Sequence, residues 1–446
     1  MPTKIHLISC RCLLLVLMLS GICTTAHARR WRSVRVKSHI EGVQPMTGLV
    51  LWPDQARRLH ATYGKSIQLE FAYCLPSKVA KDCRENGTIV YDWSWFDRIL
   101  EDVSSRGHQL VARFRYEYPS SRDVDGRTRG MTAVPDFIRR LEGYEETFNE
   151  VKGDGPTWYA DWRSEALLRF TKQFYADFAE RYHDDPRQAF LEVGFGHWSE
   201  YHIYGTELKL GLNFPSKAFQ RDFFLHLDSV MQGLPWLVSI DAGDRRYAPF
   251  PGDEQLNQLR FGCFDDSFMH KGHELASGSG FNERMWQSIG MERWKTGVCG
   301  GEISYYTERE QWEFLRPDGL YGHTWEEQSA KYHLSFIIAN DAPRSPYGTA
   351  DRFREAGMAV GYRFAVKDVR TDGRETRLTV INRGTAPLYR DAYFSIGQVR
   401  SASSLRGLLP GEELEVTIPC ALKDGKNLKI TSDAILEGQS IGYELD

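Results

Sequence analysis

The chain has 446 residues, 41% hydrophobic and 26% charged, a balance that excludes a wholly disordered protein. A single hydrophobic core stops growing at roughly 250–300 residues, so one large domain plus one of about 100 residues is expected. Lys and Arg (56) do not exceed Asp and Glu (60), and the net charge of −4 argues against nucleic acid as the main partner. Aromatic residues reach 13%, and the surplus beyond a core's needs suits stacking on flat apolar faces such as sugar rings.

Residues 1–28 read as a secretory signal. Lys4 and Arg11 supply the positive region, Leu13 to Leu19 the apolar run, and Ala26-His27-Ala28 the small-residue cleavage site. The alternative is an N-terminal membrane anchor, but the run is shorter than the ~20 residues a span needs. No later stretch is apolar enough to cross a bilayer. The expected compartment is secreted, periplasmic or cell-surface. Cleavage after Ala28 makes the mature chain two charges more negative. It also removes three of eight cysteines and leaves Cys74, Cys83, Cys263, Cys299 and Cys420. An odd count leaves at least one thiol free or pairing between chains, and Cys74 and Cys83 are the candidates for a loop disulfide. No CxxC and no His/Cys spacing points to zinc, so no metal and no cofactor is implied. Asn86-Gly87-Thr88 is a glycosylation sequon.

Eight short apolar runs follow, at 48–52, 66–73, 109–116, 188–195, 236–241, 258–264, 297–302 and 334–339. Helical patterns separate many of them, at 93–105, 164–182 and 219–231; the second places Leu167, Phe170, Phe174 and Phe178 on one face. Strands alternating with helices predict an α/β fold, a (β/α)8 TIM barrel over residues 29–350. An open doubly wound sheet is the alternative, and no GxGxxG after the first strand favours it. The segment 118–161 is long for a connection and is expected to cover part of the barrel mouth. After about Arg352 the texture becomes short, alternating and β-rich, with turn signals at Asn382-Arg383-Gly384 and Pro410-Gly411. This predicts a C-terminal antiparallel β-sandwich over 351–446.

Strand alternation sorts side chains between lumen and helix layer. It turns Gln68 and Glu70 inward on the second strand, Arg113 and Arg115 on the third, and Glu192 on the fourth. Glu70, Arg113 and Glu192 would then lie side by side, either as a salt-bridge network bracing the barrel or as ligand contacts.

Two segments carry chemistry. The fourth strand runs into Gly194-Phe195-Gly196-His197-Trp198-Ser199-Glu200-Tyr201-His202. The seventh runs into Gly300-Gly301-Glu302, followed by Tyr305 and Tyr306. Both end at the face where barrel enzymes build active sites. The glycines are expected to let backbone approach a ligand closely. Glycosidic cleavage needs two carboxyl groups across the bond, one protonated and one ionised, and Glu200 with Glu302 meets that need. Asp265-Asp266 is a weaker rival pair. His197, Trp198, His202, Tyr305, Tyr306 and Trp52 are candidate sugar contacts, with mouth packing as the alternative.

The two motifs resemble the clan A retaining glycoside hydrolases, barrels whose acid/base Glu ends strand four and whose nucleophile Glu ends strand seven. That resemblance implies acid/base at Glu200 and nucleophile at Glu302; where the clan usually carries Asn before the acid/base, this chain has Ser199. Together with Tyr91-Asp92-Trp93-Ser94-Trp95-Phe96-Asp97, the motifs more closely resemble the secreted barrel-plus-sandwich family catalogued as domain of unknown function 4832. Its signature is like G-x-W-G-E-W-H, with Ser199 and Tyr201 here in place of Gly and Trp. The family implies a carbohydrate context without a settled substrate. The reading is a secreted glycan-active protein, a retaining glycoside hydrolase with a carbohydrate partner. A non-catalytic glycan-binding barrel and a structural surface protein are the alternatives. The sequence leaves the oligomeric state open.

Overall fold

The computed structural model describes residues 30–123, 127–339 and 346–446. The leader and cleavage site expected from the sequence, with Cys10, Cys12 and Cys23, lie outside the described residues. Among the described residues, no helix is long and apolar enough to cross a membrane.

Eight parallel strands close a barrel in chain order: β1 (Gly48–Leu51), β2 (Leu69–Cys74), β3 (Gln109–Phe114), β4 (Gln188–Val193), β5 (Trp236–Ser239), β6 (Gly262–Phe268), β7 (Gly300–Ile303) and β8 (Phe336–Ile338). The protein is a (β/α)8 barrel. The outer helices include α1 (Pro53–Tyr63), α2 (Ser94–Ser104), α3 (Glu165–Tyr182), α4 (Lys217–Val230), α5 (Phe281–Ile289), α6 (Trp325–Lys331) and α7 (Ala350–Met358). Local chemistry starts them where it should. The Ser164 hydroxyl accepts from the Leu167 amide to cap α3, and Leu167, Phe170, Phe174 and Phe178 then fall on its buried stripe. Ser216 does the same for α4.

Alternation sorts the strands into two cores. Leu49, Leu51, Ala72, Cys74, Leu110, Ala112, Leu191 and Val193 pack against the helices. Val50, Leu69, Phe71, Val111, Phe190, Leu237, Phe264 and Phe336 fill the lumen. β3 and β4 therefore have the predicted orientation, and β2 has the opposite one. Tyr73 stands beside Arg113 in register and Arg113 beside Glu192, so these three share the inner face. Glu70 points to the helix layer, where Arg106 donates to it at 2.7 Å and His108 lies 2.6 Å away. Its polar neighbours there outweigh the simple rule that polar residues turn inward, because both faces of a barrel strand are buried.

The sixth strand also differs from expectation. It starts at Gly262 rather than 258 and continues through Asp265 and Asp266, with an irregularity between Asp265 and Phe268. The two acids therefore belong to the strand and leave on opposite faces. Cys74 and Cys83 are not joined: the Cys74 thiol donates to the Ala72 carbonyl and the Cys83 thiol to that of Arg84.

Beyond the barrel, the change of texture near Arg352 falls inside α7. The β module begins at β9 (Phe364–Thr371) and continues through β10 (Thr376–Asn382), β11 (Tyr393–Ile396), β12 (Glu413–Ile418), β13 (Leu428–Thr431) and β14 (Tyr443–Leu445). One sheet holds β9, β10 and β12 antiparallel, with β14 parallel to β9; a smaller one holds β11 and β13. Arg32–Ser33 pairs with Arg370–Thr371, so the first described residues join this module rather than the barrel. The module docks at the N-terminal ends of the barrel strands. There the Gln109 amide donates to the Ala434 carbonyl at 2.9 Å and the Tyr389 hydroxyl to that of Trp294 at 2.6 Å. The opposite, C-terminal end stays open.

Candidate active site

The segment after β4 is a tight loop stitched by its own backbone. The His197 amide donates to the His202 carbonyl at 2.9 Å and the Tyr201 amide to that of Phe195 at 2.8 Å. Trp198, Ser199 and Tyr201 are held at φ 53°, 63° and 70°, in the left-handed region that non-glycine residues seldom occupy. The two glycines make the loop possible, though not by admitting a ligand. A Cβ on Gly194 would stand 1.9 Å from the Ser199 carbonyl oxygen, and one on Gly196 would stand 2.4 Å from that of His202. The loop folds back on its own strand and turns Glu200 over the lumen. Ser199 is drawn away from the cavity by donating to the Phe114 carbonyl at 2.8 Å.

Glu302 reaches the same place from β7. Gly301, at φ 148°, sits so close to β6 that a Cβ would meet the Asp265 carbonyl oxygen at 2.1 Å. Asp266 comes from β6. One carboxylate oxygen from each of Glu200, Asp266 and Glu302 lies within 4.8 Å of the others.

Arg113 lies beneath them, fully buried. It donates to Glu192 at 2.6 Å, to Asp266 Oδ1 at 2.9 Å and to Glu200 Oε1 at 3.0 Å. Its guanidinium also stacks 4.3 Å from the Phe264 ring centroid and 5.0 Å from that of Phe71. The Tyr73 hydroxyl donates to Glu200 at 3.3 Å. One cation thus serves three carboxylates, and the carboxyls respond. Burial, then the charge of Asp266, and more weakly that of Glu302, hold Glu200 well above the usual carboxylate range, against the pull of Arg113 and His202. Burial likewise lifts Asp266, and lifts Glu192 to about 7, with Arg113 opposing both. The trio's all-oxygen donor set is of the type a hard divalent cation uses, but Arg113 already supplies positive charge to two of its members.

The carboxylates open into a cavity of about 840 Å³ at the C-terminal end of the barrel. Trp52, Trp198, His202, Tyr305 and Tyr306 line it. Tyr305 and Tyr306 are the most exposed of these, at 56% and 70%. Although burial opposes it, the Asp241 carboxylate 3.0 Å away lifts His202 to about 8, so its imidazole is charged at neutral pH. The long connection after β3 does reach the mouth. Its hairpin, Thr147–Val151 with Gly155–Tyr159, brings Asp154 to the rim, where the Tyr204 hydroxyl donates to it at 2.6 Å.

Some sequence candidates are placed elsewhere. Glu70 is in the helix layer, away from the site. His197 is fully buried behind Trp198, 2.9 Å from the Tyr159 hydroxyl, and burial, then His202, pushes its pKa down to about 3. A neutral, enclosed imidazole braces the loop and does not line the cavity. Arg113 and Glu192 form the layer under the cavity floor rather than its surface. Asp265, the other half of the rival pair, is buried against His273, Asn282 and Trp286. Residues the sequence reasoning left out are Tyr73 and Asp241, and Asp266 entered it only as half of a rival pair. Asp241 ends the fifth predicted strand and was visible on that ground; Tyr73 was hidden by the misjudged β2 orientation, and the pairing of Asp266 with Asp265 followed from the misjudged β6 boundary.

No protein-family model and no curated protein matches the sequence, so the resemblance to the family of domain of unknown function 4832 rests on the quoted motifs alone. Solved structures do resemble the chain. The lactosyl-enzyme intermediate of endo-glycoceramidase II from Rhodococcus sp. aligns at TM-score 0.44 and 12% identity, covering 87% of this chain and 100% of that one. The catalytic domain of β-amylase from Paenibacillus polymyxa aligns at 0.40 and 12%, covering 71% and 99%. A GH5-4 broad-specificity endoglucanase from an uncultured bacterium aligns at 0.37 and 9%, covering 71% and 86%.

Proposed function

We propose that the protein is a retaining glycoside hydrolase in which Glu302 is the nucleophile and Glu200 the acid/base. The observation that carries this reading is the spacing of the two carboxyls, with oxygens within 4.8 Å of each other in an aromatic-lined cavity. Retention needs the groups about 5–5.5 Å apart and inversion about 6.5–9.5 Å, to admit a water. Glu200, held protonated by burial and its acidic neighbours, gives its proton to the glycosidic oxygen as the bond to the anomeric carbon breaks. Glu302 forms the new bond to that carbon. Water then attacks the same carbon, Glu200 takes up its proton, and the Glu302 carboxylate leaves. Asp266 is less suited to either role because it is fixed within β6, while Glu200 rides on a loop at the cavity wall. The leader-like residues 1–28 support export of the barrel and the sandwich together, which N-terminal sequencing of secreted protein would check.

A panel of aryl glycosides tests the proposal. Glu302→Gln should lower kcat at least a thousandfold while leaving the circular-dichroism spectrum unchanged. Glu200→Gln should slow glycosides with poor leaving groups at least a hundredfold more than dinitrophenyl ones, since only the former need the proton. Equal losses on both kinds would remove Glu200 from the acid role, and carry the role to Asp266 if Asp266→Asn alone showed the split.

A further inference from the structure

We propose that Asp266 is a third carboxyl touching the sugar: it holds the hydroxyl on the carbon beside the anomeric one, so the unit cleaved carries a free 2-hydroxyl and not a 2-acetamido group. The proposal rests on the hydrolase reading above and adds a catalytic residue and a substrate class to it.

β6 brings two neighbouring acids to the cavity, and the protein treats them differently. Asp265 is fully engaged. Its Oδ1 accepts from the Ser267 amide and the Asn282 side chain, and its Oδ2 is bonded by His273 and Trp286. Asp266 is engaged on one side only. Arg113 donates to its Oδ1 at 2.9 Å and fixes the carboxyl in place. Its Oδ2 has no hydrogen-bond partner within the protein, although the residue lines the cavity and its side chain is only 9% exposed. A buried carboxyl oxygen without a partner is unfavourable, and a ligand group that bonds to it removes the cost.

The chemistry of the bond selects that group. An oxygen of Asp266 lies within 4.8 Å of one from Glu200 and one from Glu302, so it stands beside the anomeric carbon. With Glu200 on the glycosidic oxygen, the other heavy atoms bonded to that carbon are the ring oxygen and carbon 2. The ring oxygen gains positive charge in the oxocarbenium-like transition state and carries no hydrogen, so neither donating to it nor accepting from it helps. The substituent on carbon 2 remains. A hydroxyl both donates and accepts, so it pairs with Oδ2 whether Asp266 is ionised or protonated. Burial raises Asp266 and Arg113 opposes the rise, and the contact holds for either result. An acetamido group offers Oδ2 only the N–H at that position and adds three heavy atoms at an enclosed floor. Hydrogen bonds to the 2-hydroxyl strengthen as the transition state forms, and a carboxyl already fixed by Arg113 needs no rearrangement to make one.

The test uses the full-length protein and matched aryl glycosides of the gluco, galacto and manno series at pH 6, each with its 2-deoxy and 2-acetamido-2-deoxy analogues. Rates are divided by those of spontaneous hydrolysis, which 2-deoxygenation itself speeds. The 2-hydroxyl substrate should then exceed both analogues in kcat/KM at least fiftyfold. Asp266→Ala should cut its advantage over the 2-deoxy analogue to threefold or less, whereas a merely structural role would lower both substrates alike. If that variant fails to fold, Asp266→Asn replaces it and should cut the advantage at least fivefold. Glu302-dependent turnover with no advantage for the 2-hydroxyl, or with an advantage that neither variant changes, overturns the inference and leaves the hydrolase reading standing. If nothing is turned over, calorimetry with the same glycosides decides. Tighter binding of the 2-hydroxyl form, lost in the variant, supports the inference while overturning the hydrolase reading, and absence of preference or of binding overturns both. Asp266-dependent binding of Ca²⁺ with no preference for the 2-hydroxyl assigns the carboxyl to a metal and overturns the inference as well.

Discussion

Arg113 is the residue on which the site depends. It is enclosed by Phe71, Phe264 and Tyr73 and answers Glu192, Glu200 and Asp266 together. Removing it strands buried carboxylates, and breaking a buried pair costs about 3–5 kcal/mol. Arg113→Met should lose that much in urea unfolding; a loss below about 1 kcal/mol would show that the carboxylates carry no charge needing Arg113. The proton on Glu200 makes a second expectation. Activity should persist above the usual carboxylate range and fall as pH rises through the raised value. Since Asp266 is the largest charge raising it after burial itself, Asp266→Asn should move the alkaline limb to lower pH, read with a neutral substrate. Glu117 gives a pH effect on stability instead of rate. Burial lifts it from 4.5 to about 8, so the folded state holds a proton that the unfolded state has lost. Its contribution is complete below 4.5 and disappears as pH rises through 8. The melting temperature should decline over that window, and Glu117→Gln should flatten the decline; an unchanged slope would contradict it.

At the level of elements, the geometry of the proposed catalytic pair is set by backbone that only glycine can follow. Gly301→Ala places a methyl 2.1 Å from the Asp265 carbonyl oxygen at a φ of 148°. It should displace Glu302 and lower kcat at least a hundredfold, more than it lowers the melting temperature would suggest. Near-normal kcat would show that β7 tolerates the shift. These strands also show how far sequence goes. The eight runs, their order and the carboxylates closing the fourth and seventh were legible, because burial on both faces makes strands apolar and glycines mark their ends. The orientation of β2 was not. Alternation reveals two faces without saying which is inner, and Glu70 turns outward because Arg106 and His108, supplied by the segment before β3, wait there. The β6 boundary was lost for a related reason: an Asp-Asp doublet reads as loop, yet His273 and Trp286 on one side and Arg113 on the other neutralise it inside a strand.

On the scale of the whole molecule, the sandwich closes the end of the barrel opposite the site. The barrel lumen and the sandwich form one continuous core, in which Val50, Phe190 and Phe336 join Phe364, Val380 and Phe394. Arg390 adds donation to the Gly233 carbonyl at 2.8 Å and to that of His183 at 3.1 Å. The two modules should therefore unfold in a single calorimetric transition, and two separated transitions would contradict a shared core. The sandwich thus covers the end of the barrel opposite the aromatic mouth, where the proposed glycan contact lies.

The central claim is that Glu200 and Glu302 act across one bond by double displacement. Proton NMR of the first-formed product, from whichever aryl glycoside the protein cleaves fastest, reads it directly. The account predicts that the initial sugar has the anomeric configuration of the substrate, before mutarotation; an inverted first product would contradict it.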